Sequence, residues 1–249
     1  MLLSFVSFIK SHKVLTILIA IAILITLVLG IYFTTRKKSK KLKTNEIACI
    51  GVFSALSIIL YFLKFNLPFI FPDFLEIHFS MLPIIIIGFM FGPIESIYML
   101  IVRAIIKLPF TGTFCVGELA DLLIGIPIVL STSLIYKKIH NKKGAIISLA
   151  TGVLIWILAS IITNYLINVP AYIALYWGGN VEPFISLLEV IPGVNSENYM
   201  GRYLLYAVLP FNTLLSVLVS LITFIVYKRV SVFFDKISDK YGNKQQSIK

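Results

Sequence analysis

Long runs without a charged side chain constrain this chain more than any other feature of its sequence. Residues 47–63, 77–94, 122–136, 144–181 and 203–227 hold no Asp, Glu, Lys or Arg, and neither do residues 14–35. Residues 96–108 hold only Arg103 and Lys107. A helix rises about 1.5 Å per residue, so roughly 20 such residues cross the apolar core of a bilayer. Apolar runs of this kind satisfy their backbone inside a membrane as helices. Charged residues are 13% of the chain, about half the share of a soluble domain. That deficit excludes an ordinary soluble enzyme, and the 59% hydrophobic content excludes disorder.

The runs predict an all-α polytopic membrane protein with one N-terminal helix over 14–35 and six further spans. The six are 47–63, roughly 78–91, 94–109, 122–136, 144–166 and 203–227. Gly92-Pro93 predicts a turn between the two short spans. The run 144–181 exceeds one crossing, and Asn164, Asn168 and Pro170 predict its end near Leu166, with the remainder outside. Three parts follow: an extra N-terminal helix and basic linker (1–44), a six-helix membrane domain (45–230) and a cytoplasmic tail (231–249). The first helix reads as an uncleaved anchor, because its apolar core is long and six basic residues follow it.

Charge orients the bundle. Twenty-two Lys and Arg against 11 Asp and Glu give a net charge of +11. In a soluble chain that excess suggests nucleic acid; here it flanks the apolar runs, so no nucleic-acid partner is inferred. Basic groups at 36–43, 137–143 and 228–249 hold 16 of the 22 basic residues. Seven spans put all three groups on one side, the cytoplasmic side by the positive-inside rule. The N-terminus is then outside and the C-terminus inside. The acidic residues Glu182, Glu189 and Glu197 fall in an outer loop, 168–202.

Catalytic motifs are missing. There is no phosphate-binding GxxxxGK[ST], no HExxH and no GxSxG, and His12, His78 and His140 are scattered. No catalytic residue, cofactor or metal site is predicted. Cys49 and Cys115 form no CxxC pair. Uphill movement of a solute would need an ion gradient or a partner.

Four residue sets carry what chemistry there is. Arg103 and Lys107, four apart, and Glu118 and Asp121, three apart, each share a helix face in or beside apolar spans. They neutralise one another across helices, or they contact a polar ligand. Asn164 and Asn212 lie toward the outer half of long spans. An uncharged amide suits a flat heterocycle with carbonyl and N–H groups; it equally suits hydrogen bonding between helices. Aromatic residues cluster at Phe62–Phe79 and at Tyr165, Tyr172, Tyr176 and Trp177, either as an interfacial belt or, with Phe74 and Tyr172, as a lid and wall for a planar ligand. Ala48, Gly51 and Ala55 form a small-residue face, for internal packing or for docking another membrane protein.

Taken in order, the segments FLKFNLPFIFPDFLEIHFSMLPIIIIGFMFGPIES, VGELADLLIG, TNYLINVPAY and LPFNTLLSVLVSLITFIVYKR resemble the substrate-binding S components of energy-coupling factor (ECF) transporters, especially those specific for riboflavin. The likeness spans about residues 47–229. It implies a six-helix subunit without ATPase activity that binds one vitamin near the outer face. It also implies a transmembrane coupling protein and two cytoplasmic ATPases as partners, and transport through the lipid bilayer of the cell membrane. Asn164 and Asn212 resemble flavin-recognising positions, with Glu118, Asp121, Tyr172 and Phe74 as further substrate contacts. Ala48, Gly51 and Ala55 resemble the coupling-protein contact. Two departures stand out. Leu215 occupies a position where riboflavin subunits often carry lysine, and His78-Phe79-Ser80-Met81-Leu82-Pro83 replaces their D-F-S-D-x-P loop. An S component for a different vitamin, or a membrane-embedded enzyme built on Glu118, Asp121 and Arg103, is the alternative.

Overall fold

The computed structural model of the chain describes residues 44–246. The predicted anchor at 14–35 and most of the basic linker after it lie outside the described residues. From residue 47 onward every apolar run is helical. Helix α1 covers Thr44–Phe62, α2 Met81–Met90 and α3 Pro93–Lys107. Helix α4 covers Val116–Lys138 and α5 Lys142–Thr163.

Local chemistry sets the boundaries. Gly92 adopts φ 121°, a backbone that only glycine takes without strain, and Pro93 starts α3 directly after it. The tight turn lets α2 and α3 pack side by side. At α5 the Asn141 side chain accepts a hydrogen bond from the Gly144 N–H at 2.9 Å, capping the first turn. Between α1 and α2 the chain forms a small antiparallel hairpin, β1 (Phe65–Asn66) with β2 (Glu76–Ile77), pairing Phe65 with Ile77.

The span expected to end near Leu166 does not end there. A π-helical turn at Asn164–Asn168 leads into α6, Val169–Trp177, so one helical stretch runs from Lys142 to Trp177. At 36 residues it is about 54 Å long, more than a bilayer core needs. Pro170 is accommodated rather than helix-breaking. The Val169 N–H bonds back five residues to the Asn164 carbonyl, immediately before the proline, and the wider turn relieves the contacts a proline makes in a regular helix. The last helix repeats this. Short helices α7 (Glu182–Ser186) and α8 (Tyr199–Tyr203) precede a second π turn, Leu204–Val208. There the Leu209 N–H bonds to the Leu204 carbonyl, immediately before Pro210. Helix α9, Leu209–Gln246, follows. The expected outer loop 168–202 is thus helical at both ends.

Helix α2 is the centre of the bundle. Ile84, Ile85, Ile86 and Ile87 are at most 1% exposed, and α1, α3, α4 and α9 all touch α2. A helix apolar all round is one enclosed by protein. The outer helices instead turn large apolar side chains outward, Val52, Leu154 and Ile225 among them. In water that would be costly; facing lipid tails it is not. Small residues bring α4 and α5 together: a Cβ on Gly152 would meet Thr132 Cγ2 at 2.5 Å. Gly152→Leu is therefore expected to lower stability by about 1–3 kcal/mol through overpacking, read as a lower melting temperature in detergent. Gly51→Leu, with no neighbouring atom within 4 Å of the added Cβ, should leave that temperature unchanged.

Candidate functional site

A cavity of about 440 Å³ opens among α1, the hairpin, α3, α4, α5, the first π turn and α9. That volume falls within the range of small-molecule pockets. All six residues predicted as substrate contacts line it: Phe74, Glu118, Asp121, Asn164, Tyr172 and Asn212. Its two ends differ in chemistry.

One end is charged. Lys107 Nζ donates to Asp121 Oδ2 in a short hydrogen bond, and Arg103 Nη2 lies 3.9 Å from the same oxygen. The four-residue spacing of Arg103 and Lys107 on α3 makes both reach one carboxylate on α4. Lys107 Nζ also sits 3.6 Å from the centroid of the Tyr61 ring, a cation–π contact with α1. Arg103 Nη1 donates to Ser80 Oγ at 2.6 Å. Arginine only donates, so the Ser80 hydroxyl proton is free for His78 Nδ1 at 3.0 Å. Ser57 Oγ on α1 donates to the Ser80 carbonyl at 2.7 Å. One network thereby joins α1, the hairpin's exit, α3 and α4. Nearer the surface, Lys64 and Glu76 pair at 2.8 Å across the hairpin.

Glu118 is held differently. Its Oε2 accepts hydrogen bonds from Thr111 Oγ1 at 2.8 Å and Thr113 Oγ1 at 3.3 Å. The same hydroxyls organise the start of α4. Thr111 Oγ1 accepts from the Thr113 and Cys115 N–H groups, and Thr113 Oγ1 from the Gly117 N–H. Phe114 and Cys115 take left-handed backbone there, at φ 50° and 66°. Glu118 and Asp121, three residues apart on α4, therefore have different partners. Asp121 joins the cations, and Glu118 joins a threonine cap.

The other end is neutral and built on amides. Asn212 Oδ1 accepts from Trp156 Nε1 at 3.2 Å and Ser160 Oγ at 2.9 Å, and its Nδ2 donates to the Val208 carbonyl at 2.8 Å. Asn164 Nδ2 donates to the Ser160 carbonyl at 2.9 Å, and its Oδ1 accepts from Tyr203 Oη at 3.2 Å. These amides join α5 to the last helices, and both line the cavity. Phe74 and Tyr172 lie on the walls, with Phe74 tilted 5.9 Å from the Tyr203 ring. Leu215 lines the same cavity.

Trp156, Asn168 and Tyr203 also line this wall, and none of the three is among the site residues expected from the sequence. The available signal was a four-residue stripe, Trp156-Ser160-Asn164-Asn168-Tyr172. Four residues overshoot the 3.6-residue turn, and the wider π turn takes back that overshoot, so the stripe stays on one face. Among the docking candidates, Ala48, Gly51 and Ala55 are exposed on α1, away from the cavity.

The sequence of residues 45–227 matches the family model of the ECF transporter substrate-specific component. The riboflavin transporter RibU of Staphylococcus aureus (strain TCH60) is 26% identical over 202 residues, 81% of this chain and 98% of that protein. The riboflavin transporter FmnP of Bacillus subtilis (strain 168) is 22% identical, covering 78% and 96%. The RibU of Streptococcus thermophilus (strain ATCC BAA-250 / LMG 18311) is 28% identical, covering 74% and 82%. A solved S component of a bacterial ECF transporter aligns with a TM-score of 0.56 at 25% identity, over 76% of this chain and 96% of that one.

The charged end makes its own prediction. Asp121→Asn leaves Arg103 and Lys107 buried at about 3% side-chain exposure without their anion. The variant is expected to lose about 1–3 kcal/mol of stability, visible as a lower melting temperature in detergent. Adding Lys107→Met should recover part of it, because one uncompensated cation is then removed.

Proposed function

Since the chain belongs to the substrate-specific components of ECF transporters, we propose that it captures riboflavin or a close flavin at the outer side of the membrane. It then delivers the vitamin inward with a transmembrane coupling protein and two cytoplasmic ATPases. As a member of this family the chain is a multi-pass membrane transport component and not an enzyme. It supplies no phosphate-binding loop, so the energy for release comes from the ATPases.

One observation carries the flavin reading. The neutral end of the cavity presents Asn164 and Asn212 between aromatic walls, and each amide keeps one N–H uncommitted. Two N–H donors suit the carbonyl edge of an isoalloxazine, while Tyr172, Phe74 and Phe211 suit its apolar faces. Glu118 and Asp121 at the charged end suit the hydroxyls of a polyol chain, which donate to carboxylate oxygens. The names of the three relatives support the same ligand. Flavin fluorescence should be quenched on binding to the purified protein. Asn212→Leu should weaken affinity roughly ten- to hundred-fold, the effect of losing one buried partner. Equal affinity in the variant and the parent would overturn the role of Asn212, and absence of quenching by the parent would overturn the ligand.

Docking is assigned to the exposed small-residue face of α1. The positive-inside rule puts the Thr44 end of α1 at the cytoplasmic side and the C-terminus inside. Gly51 is then near the half of the membrane where ATPase-bearing partners act. Membrane helices associate through close packing, so bulk on a small face blocks them. Gly51→Leu with Ala55→Leu should abolish vitamin uptake in cells that supply the partners, while the purified variant keeps parental flavin affinity. Normal uptake, or loss of binding together with uptake, would overturn the docking face.

A further inference from the structure

We propose that Asn168 is a third recognition residue of the cavity, an acceptor that reads an N–H on the ligand. This sets specificity for a heterocyclic edge that carries acceptors followed by a donor. The inference rests on the flavin reading above and extends it to a residue outside the two amides already discussed.

The argument starts from fixed partners. The Ser160 backbone carbonyl can only accept, so the Asn164 group beside it must be Nδ2. The Asn164 Oδ1 is then turned the other way, toward Tyr203 Oη and toward Asn168 Nδ2 at 3.4 Å. An amide oxygen presented to Asn168 demands a donor, so Nδ2 of Asn168 faces it. The Oδ1 of Asn168 is left over. It is buried, it has no hydrogen-bond partner, and Asn168 lines the cavity at 9% exposure. Asn212 is oriented by the same logic. Trp156 Nε1 only donates and the Val208 carbonyl only accepts, so Oδ1 and Nδ2 have no freedom to exchange.

Each amide oxygen of Asn164 and Asn212 already accepts two hydrogen bonds. Those two residues therefore offer only N–H groups to a ligand. Of the three amides, Asn168 alone offers an oxygen without a partner. A buried amide oxygen without a partner costs about 1–3 kcal/mol, and few are kept in folded proteins. A ligand N–H removes that cost. The hydrogen-bonded order is Asn212, Ser160, Asn164, Asn168, so the complementary edge reads acceptor, acceptor, donor. The N5, C4 carbonyl and N3–H of a flavin run in that order. A heterocycle with the same shape but no N–H leaves Asn168 unpaired, the kind of mismatch that polar sites reject strongly.

The full-length protein in detergent tests this with two probes, riboflavin and 3-methylriboflavin, titrated by flavin fluorescence. The parent should bind riboflavin at least ten-fold more tightly than the methylated flavin. In Asn168→Leu, riboflavin affinity should fall roughly ten- to hundred-fold. The methylated flavin should bind the variant about as it binds the parent, which also shows that the variant is folded. Riboflavin binding unchanged in Asn168→Leu overturns the proposal, as does a parent that binds both flavins equally. Parallel loss of both flavins in the variant overturns it too, because Asn168 then supports the helix and not the ligand. A parent that binds neither flavin overturns the riboflavin reading itself, and this proposal with it.

Discussion

Two cations on α3 and one carboxylate on α4 decide the shape of the cavity. Burying a charge in a membrane protein is expensive, and the expense falls only when the charge meets an opposite charge and further hydrogen bonds. Asp121 accepts Lys107 and lies beside Arg103. Arg103 reaches on to Ser80, and Lys107 lies against the Tyr61 ring. These contacts fix the exit of the hairpin and the Phe62 end of α1 relative to α3 and α4. A smaller set of contacts would leave two buried cations uncompensated. Separation of α3 from α4 would therefore cost more than lost apolar packing, and the cavity wall at this end is correspondingly rigid.

The opposite wall depends on backbone irregularity. Each π turn ends one residue short of a proline, with Val169 before Pro170 and Leu209 before Pro210. Each turn adds a residue to the helix and resets the face that follows. In the first, the reset keeps Asn164, Asn168 and Tyr172 on the cavity side. In the second, it delivers Phe211, Asn212 and Leu215 to the same space. Proline and π turn work together here. The proline lacks the N–H that a regular helix would require, and the turn supplies the room its ring needs.

The helices were legible from the uncharged runs, because the bilayer length and the cost of an unpaired backbone leave little choice. The charges Arg103, Lys107 and Asp121 were legible as a cluster for the same reason. What was hidden has a common cause. The end of the long span was expected at Asn164–Pro170 because proline and polar residues usually break helices. A π turn evades that rule without a distinctive residue type. Asn168 was read as part of that break, when its four-residue spacing from Asn164 places it on the cavity wall. Trp156 and Tyr203 are ordinary membrane aromatics by composition, and their burial and their hydrogen bonds to Asn212 and Asn164 separate them from lipid-facing rings. Glu118 was grouped with Asp121 by spacing, yet the threonines that hold it lie in a loop with left-handed backbone, beyond the reach of helical periodicity.

Helix α1 belongs to both halves of the molecule. Tyr61, near its end, lies against Lys107 and lines the cavity. Ten residues earlier, about 15 Å along the helix axis, Gly51 is exposed with no neighbouring atom within 4 Å of an added Cβ. Between them, Ser57 is fully buried and bonds the Ser80 carbonyl beside the charge network. A helix transmits a displacement along its axis with little loss, since its hydrogen bonds resist compression. Whatever repositions Tyr61 therefore acts on the same rigid body that carries the small-residue face. A ligand that settles between Tyr61 and the charged end bears on α1 directly, and a partner seated at Gly51 bears on Tyr61 by the same route. Coupling of this kind is reciprocal as a matter of thermodynamics: under the docking reading proposed above, any factor by which a ligand in the cavity changes partner affinity at the α1 face is also the factor by which the partner changes ligand affinity.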